Sequence, residues 1–472
     1  MKSALLLAVA ASSVACATPR LVPPLRYAPA AVAADDGSRA QSPDLAPAQE
    51  PPVEATRSTT LSNGLTVVLV ERHGYPLVAA NLLVDSRAQE PDDAGGRRLQ
   101  MMGYLFERGG DKNTFEAVTR AAAASGFAVR TGALGARGRG PVAALDDLLD
   151  AMASLTYRAR LTRDEYEYRS TEWTEATGER GTYSVDAERK ILFGEINPAG
   201  YLPRPMKAMP RGDAQALHDR IFQPGHAALV VVGDVQPDRL DAAVASAFGE
   251  WPKGETSVVG VASPLEHQSP RISIYRSRGL AQIHASVFAR GPDPASDDSV
   301  VLPVLAAILG GATSSRLFEQ LREESGDAYA AEGDMAAGPG VTWLAIRASF
   351  DSDKAIHGVE AILAAIRQVR AGHVSPDELA VAREVVVARW RVAMSTLEGA
   401  GHVYATSVLG RAPFDPQKTP ARMAAVSAED VARVAKTYLT NDALRVYLAG
   451  EDRWLDTAAL GMGDAEPIDM TK

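Results

Sequence analysis

The apolar positions of the chain change period from segment to segment, and each change marks an element. Thr59 to Val70 reads as two β-rich runs around Ser62-Asn63-Gly64. Asn-Gly between such runs signals a tight hairpin. Leu77 to Val84 is an apolar run that predicts a further strand. Val142, Leu145, Leu148, Leu149, Met152 and Leu155 recur at the spacing of one helical face. Thr162 and Glu165 form a capping-box pattern that opens the next helix. Ala228 to Val232 predicts a strand that leads through Gly233-Asp234 into a helix reaching Phe248.

The same plan then returns. Ile272 to Tyr275 and Ile283 to Phe288 are strand-like, and an apolar helix runs to Leu309 before Gly310-Gly311. No Gly-Lys-Ser/Thr follows these glycines, so they are no phosphate loop. They predict a helix end and a close approach to the next element. Val341 to Phe350 alternates, with Leu344, Ile346, Ala348 and Phe350 on one face. Ile356, Val359, Leu363, Ile366 and Val369 predict a helix, and Ser375-Pro376-Asp377-Glu378 is a second capping box with proline at the first helical position. Each box precedes a helix that carries a tryptophan, Trp173 or Trp390. Two boxes in matched contexts predict an internal duplication of an α+β unit of about 200 residues. The halves are placed at 58–256 and 271–451, with a linker at 257–270 and a tail at 452–472.

Composition narrows the function. Lys and Arg total 49 against 59 Asp and Glu, a net charge of −10, which argues against a nucleic-acid-binding body. The one cysteine, Cys16, excludes a disulfide framework and a thiolate zinc site. Met1-Lys2, the apolar Ala4 to Ala11 and the small residues before Cys16 resemble a bacterial lipoprotein signal. That resemblance implies a signal peptide at 1–16, lipidation of Cys16 and a cell-envelope protein anchored to a membrane without crossing it. Residues 17–57, rich in Pro and Ala, read as a disordered tether.

Two segments carry a family resemblance. One is Phe222-Gln223-Pro224-Gly225-His226-Ala227-Ala228-Leu229-Val230-Val231-Val232-Gly233-Asp234. The other is Leu309-Gly310-Gly311-Ala312-Thr313-Ser314-Ser315-Arg316-Leu317-Phe318, continuing through Leu321-Arg322-Glu323 to Gly326-Asp327-Ala328-Tyr329. With Leu61-Ser62-Asn63-Gly64-Leu65 they resemble the insulinase/pitrilysin-like family of zinc metallopeptidases over about 59–450. The resemblance implies an α+β fold of two homologous halves, each a mostly antiparallel sheet packed with helices.

The family's inverted zinc motif, His-x-x-Glu-His, would fall within Gly95-Gly96-Arg97-Arg98-Leu99-Gln100-Met101-Met102-Gly103-Tyr104-Leu105-Phe106. One register sets Leu99, Met102 and Gly103 at the motif positions, the other Gln100, Gly103 and Tyr104. Neither set binds zinc, and no histidine occurs between His73 and His218. Glu172, Glu175 and Glu179 lie near the place of the third ligand but read as solvated helix surface. The other histidines get bland readings: local bonding for His226, solvation for His267, packing for His284. His218, His357, His373 and His402 have no partner at metal-ligand spacing. No metal is therefore expected in this chain.

Arg316 and Tyr329 match positions from which the family's smaller members stabilise the substrate oxyanion opposite zinc. A guanidinium and a phenol suit that task. Read singly, Arg316 fits a surface ion pair with Glu319 or Glu323, and Tyr329 a core-edge tyrosine. The resemblance implies a zinc-less subunit that pairs as a heterodimer with a zinc-bearing homologue. It would lend Arg316 and Tyr329 to peptide hydrolysis and hold peptide substrate along a strand edge. A non-catalytic peptide-binding or scaffolding homologue is the alternative.

Overall fold

The structure is a computed structural model that describes residues 55–85, 93–175, 187–188, 191–192, 208–254, 271–276, 280, 282–338, 341–410, 415 and 418–468. The chain divides into Met1–Glu50 and Pro51–Lys472, and every described residue lies in the second unit. The signal, Cys16, the tether up to 54, the linker and His267 lie outside the described residues.

The first half runs β1 (Thr56–Thr60), β2 (Thr66–Glu71), β3 (Leu77–Val84), α1 (Asp93–Leu105), α2 (Lys112–Ser125), β4 (Ala128–Gly132), β5 (Gly135–Pro141), α3 (Leu145–Leu155), α4 (Arg163–Glu175), α5 (Arg211–Ile221), β6 (Ala227–Gly233) and α6 (Pro237–Phe248). The second runs β7 (Ile272–Arg276), β8 (Gln282–Arg290), α7 (Val301–Gly310), α8 (Arg316–Phe318), β9 (Ala328–Gly338), β10 (Val341–Asp351), α9 (Ala355–Arg370), α10 (Pro376–Ser395), α11 (Leu397–Gly410), α12 (Lys418–Ala424), α13 (Ala428–Tyr438), β11 (Arg445–Gly450) and β12 (Ala465–Pro467). A π-helical turn, Glu319–Glu324, continues α8.

Two six-stranded sheets result, ordered β1-β2-β6-β3-β5-β4 and β12-β7-β11-β8-β10-β9. Five strands of one sheet match five of the other in order. In each, an equivalent parallel pair (β2 with β6, β7 with β11) is followed by an antiparallel one (β6 with β3, β11 with β8). The fold is α+β in two halves, as expected. Gly64 makes its turn at φ +102°, and Asn63 donates from Nδ2 to the carbonyls of Phe248 and Trp251 at 2.8 and 3.1 Å. The hairpin is thereby tied to the end of its own half.

Three details depart from the expected picture. Thr162 accepts from the Glu165 N–H, but its own N–H donates to the Gly110 carbonyl, so only one side of that box forms. The Ser375 box is complete on both sides. Strand β1 starts inside the stretch read as tether. The segment read as a tail carries β12, parallel to β7, while Leu455, Leu460 and Met462 close the second core. Apolar side chains at that spacing were sufficient to dock it.

Each sheet packs one face on its own helices. Val67, Leu69, Val78, Leu82, Leu229 and Val231 belong to the first core, and Ile272, Ile274, Ile346, Phe350, Val446 and Leu448 to the second. The other face is covered by the opposite half. Helix α11 brings Ala400, Tyr404 and Ala405 onto Val68, Val70, Val230 and Val232 of the first sheet. In return Ala187, Ile191 and Leu192 sit on Phe288, Trp343, Ala345 and Tyr447 of the second. This explains why β6 is buried at every position. A strand covered on both faces reads as a continuous apolar run.

Candidate functional site

The candidate metal centre lies where α1 meets α4. Leu99, Met102 and Leu105 point into the first core and are almost fully buried. Met101 lends its sulfur to the Met209 N–H. Both motif registers need a side chain at Gly103, and there is no room for one: a Cβ there would stand 2.6 Å from the Ala133 Cα and 2.7 Å from its Cβ. Real Cβ atoms do not approach that closely, so the α1–hairpin contact demands glycine.

A cation is already built in. Arg169 on α4, with its side chain 7% exposed, donates to the Tyr104 carbonyl from Nε and Nη2 at 3.1 and 2.9 Å. It pairs with Glu172 at 2.7 Å and with Glu107. Its guanidinium lies over the Tyr104 ring, 3.9 Å from the centroid. Opposite charge and hydrogen bonds satisfy these carboxylates without a metal. Glu172, read as surface, is therefore a partner of a buried arginine. The Glu175 side chain and Glu179 lie outside the described residues. Neighbouring Glu165 is 3% exposed. Burial raises its pKa, opposed by the charges of Arg108 and Arg169. Among the described residues no group of three or more His, Cys, Asp or Glu could hold a metal ion. The residues present do not fit zinc.

Arg316 opens α8 and turns toward the start of α10. Its Nε and Nη2 donate to Glu378 at 2.9 and 3.0 Å, Nη2 to the His373 carbonyl at 2.7 Å and Nη1 to Gln368 at 3.3 Å. Glu378 is also the closing residue of the Ser375 capping box. Burial alone would raise the Glu378 pKa, but Arg316 and the Ser375 N–H hold it below its ordinary value. The ion pair that Arg316, read singly, would make with Glu319 or Glu323 forms instead with a glutamate distant in sequence.

Tyr329 stands apart from it. The β9–β10 register slips between Ser349 and Phe350, pairing them with Ala330 and Ala328. Tyr329 is the extra residue of that β-bulge, a device that re-aims a side chain. Its ring is 73% exposed, and the Arg322 guanidinium lies 5.2 Å from the centroid. Arg322 also covers Phe318 at 5.0 Å. The structure thus joins Tyr329 to Arg322, and Arg316 to Glu378. Among the described residues no hydrogen bond joins Arg316 to Tyr329. Sequence reasoning missed Arg322, though it lies in the quoted signature seven positions before the tyrosine.

Three histidines have settled local partners. His218 is stacked between Phe106 and Phe222, centroids 4.2 and 4.6 Å away. Burial lowers its pKa, with Asp219 opposing. His284 bonds Ser349 at 2.8 Å, and His357 bonds Asp327 at 3.2 Å. No helix of the described residues is long and apolar enough to cross a membrane.

Comparison with known proteins bears on part of the sequence and on the fold. Residues 208–386 match the peptidase M16 inactive domain. Proteins described as uncharacterised zinc proteases of Mycobacterium bovis and Mycobacterium tuberculosis are 30% identical over 194 residues, 38% of this chain and 43% of theirs. The chain thus spans less than half the length of these relatives. A protease from Helicobacter pylori has the same fold, with a TM-score of 0.72 at 17% identity over 84% of this chain and all of its own. A peptidase M16 inactive domain from Pseudomonas fluorescens gives 0.71 at 15% identity over 84% and 98%. Residues 208–386 thus resemble the M16 peptidase inactive domain, the fold is shared with M16-like structures, and the sequence lacks the His-x-x-Glu-His motif.

Proposed function

We propose that this chain is the zinc-less member of an M16-type pair, binding unfolded peptide and acting in proteolysis only beside a zinc-bearing homologue. The observation that carries this reading is the α1–α4 junction, where Arg169 bridges Glu107 and Glu172 and Gly103 leaves no space for a ligand. A peptide-cleaving site must then draw its metal from another chain. Tyr329 is the group best placed to reach across: it is exposed, set on a bulge, and its phenol can donate to a developing oxyanion. Arg316 supports the same segment by fastening α8 to α10, and it serves an oxyanion directly only after releasing Glu378. The N-terminal segment before the body would carry a lipid on Cys16 and hold the pair at the cell envelope.

The test is to purify the tagged chain with its native companions and assay hydrolysis of a quenched peptide. The expected result is a co-purifying homologue with an intact His-x-x-Glu-His, chelator-sensitive activity in the complex, and none in the isolated chain. Hydrolysis and stoichiometric zinc in the isolated chain would overturn the proposal. Removing one oxyanion donor typically slows turnover about 10²–10³-fold, so Tyr329→Phe in the complex should fall in that range. The engagement of Arg316 with Glu378 favours a second reading, a peptide-binding or scaffolding subunit with no catalytic group. In that case Tyr329→Phe leaves turnover by the complex unchanged.

A further inference from the structure

One row of side chains crosses the face of the first sheet that looks toward the second half. Asn81 on β3 pairs directly with Arg137 on β5, and Arg137 with Arg130 on β4. Arg139, two positions along β5 on the same face, reaches Glu398 of α11 at 2.6 Å. That bond shows the face to be the one α11 covers. Asn81 is 1% exposed, and neither its Oδ1 nor its Nδ2 has a hydrogen-bond partner. Helix α11 presses on it so closely that a Cβ on Gly401 would stand 2.2 Å from Nδ2.

The row is unbalanced in charge. Arg130 and Arg137 are exposed and stand directly opposite each other, where like charges destabilise a sheet. No hydrogen bond or ion pair of either arginine occurs among the described residues. Only Arg139 has found a carboxylate, the chain's own Glu398. Beyond Arg130 the sheet ends: β4 is its last strand among the described residues, with one side of its backbone unpaired. An added strand would lie about 4.8 Å further out. Its residue opposite Arg130 would bring a Cβ to about 5 Å, and every second residue would face the same arginines.

We infer that β4 takes an extended peptide bearing acidic side chains, selected by Arg130 and Arg137 in the row that begins at Asn81. This rests on the peptide-binding reading above and adds the substrate class. A peptide carboxylate opposite Arg130 does for Arg130 and Arg137 what Glu398 does for Arg139. A second acid two positions along meets the same face.

The test uses the full chain and three labelled ten-residue peptides that share one β-prone backbone. They differ at two alternate positions, holding Ser, Glu or Lys, and binding is followed by fluorescence anisotropy. The Glu peptide is expected to bind about tenfold more tightly than the Ser peptide at 50 mM salt, and the Lys peptide more weakly than either. The gain shrinks at 500 mM salt, where exposed charges are screened. In Arg130→Gln/Arg137→Gln the Glu peptide falls to the affinity of the Ser peptide. In Arg130→Glu/Arg137→Glu the preference passes to the Lys peptide. Equal binding of the Ser and Glu peptides by the native chain overturns the acidic selection and leaves peptide binding standing. A Glu preference that survives the double glutamine variant overturns the assignment to this row. Failure of all three peptides to bind overturns both readings.

Discussion

Replacing Glu188 by alanine should destabilise the fold by about 3–5 kcal/mol, the usual cost of removing one partner from a buried charge pair. The Glu188 side chain is fully buried against the second sheet, although it belongs to the first half. It accepts from Arg347 Nε and Nη2 at 2.7 and 2.5 Å, from Trp343 Nε1 at 3.1 Å and from Ser286 Oγ at 2.5 Å. Truncation strands the Arg347 charge and takes the carboxylate away from the indole and the hydroxyl together. Arg347 is 24% exposed and can turn partly to water, which sets the effect near 3 rather than 5 kcal/mol. At about 2.1 cal/mol/K per residue over roughly 400 residues, 3–4 kcal/mol lowers Tm by about 4–5 °C if both halves melt together. If the second half melts alone, the shift is about twice that. Scanning calorimetry of the native chain, Glu188→Ala, Arg347→Leu and the double variant reads both quantities. The double variant should cost less than the sum of the singles, because it leaves no unpaired charge. A Tm shift below 1 °C in Glu188→Ala, or strict additivity, would refute the idea that this carboxylate clamps the halves.

Three further outcomes follow from the local geometry. Glu378 has a pKa held below its ordinary value of 4.5 by Arg316, so it stabilises the fold above that value and stops doing so as pH falls through the folded-state pKa. The melting curves of the native chain and Glu378→Gln should therefore converge on acidification, and a gap that widens would show the sign to be wrong. His218 has a pKa lowered from 6.5 by burial; stability is full above 6.5 and declines as pH falls below it, because only the unfolded chain takes the proton readily. In His218→Leu that part of the pH slope should vanish in urea titrations between pH 7 and 5. Grafting the metal motif as Leu99→His/Met102→Glu/Gly103→His should yield no bound zinc by elemental analysis and cost about 1–3 kcal/mol in overpacking. One zinc per chain at an unchanged Tm would disprove the steric argument at Ala133.

Much of the fold could be read locally. The Asn63-Gly64 hairpin, the alternation through Leu344 to Phe350 and the Ser375 box each depend on neighbours in sequence, and each formed as expected. Gly310 also behaves as read: it ends α7, and a Cβ on it would lie 2.3 Å from the Gly333 nitrogen. Where the reading fell short, a long-range partner decided the outcome. Glu165 has the spacing of a capping residue, but Arg108 lies 3.7 Å away at the same carboxylate. Glu319 and Glu323 lie near Arg316 in sequence, but the guanidinium pairs with Glu378, which its own capping box holds in place. Tyr329 taken singly reads as a core-edge residue, and a one-residue slip in register turns it outward.

The same reasoning explains why the metal position could be judged from sequence while its replacement could not. Missing histidines are a local fact, visible in any register. That Arg169 fills the gap depends on α4 lying across α1, so that one guanidinium meets Tyr104, Glu107 and Glu172 together. On a helical wheel Arg169 and Glu172 look like an ordinary surface pair three positions apart, worth a few tenths of a kcal/mol. Burying Arg169 changes its energetics, since removing Glu107 or Glu172 takes a partner from a guanidinium that water hardly reaches. The arginine row on β4 and β5 follows the opposite course: Arg130 and Arg137 are alternating polar residues, which a half-exposed strand is expected to carry. Only the register that sets them face to face, beside an unbonded Asn81 and at the open edge of a sheet, turns them from solvated surface into a charge that awaits a partner.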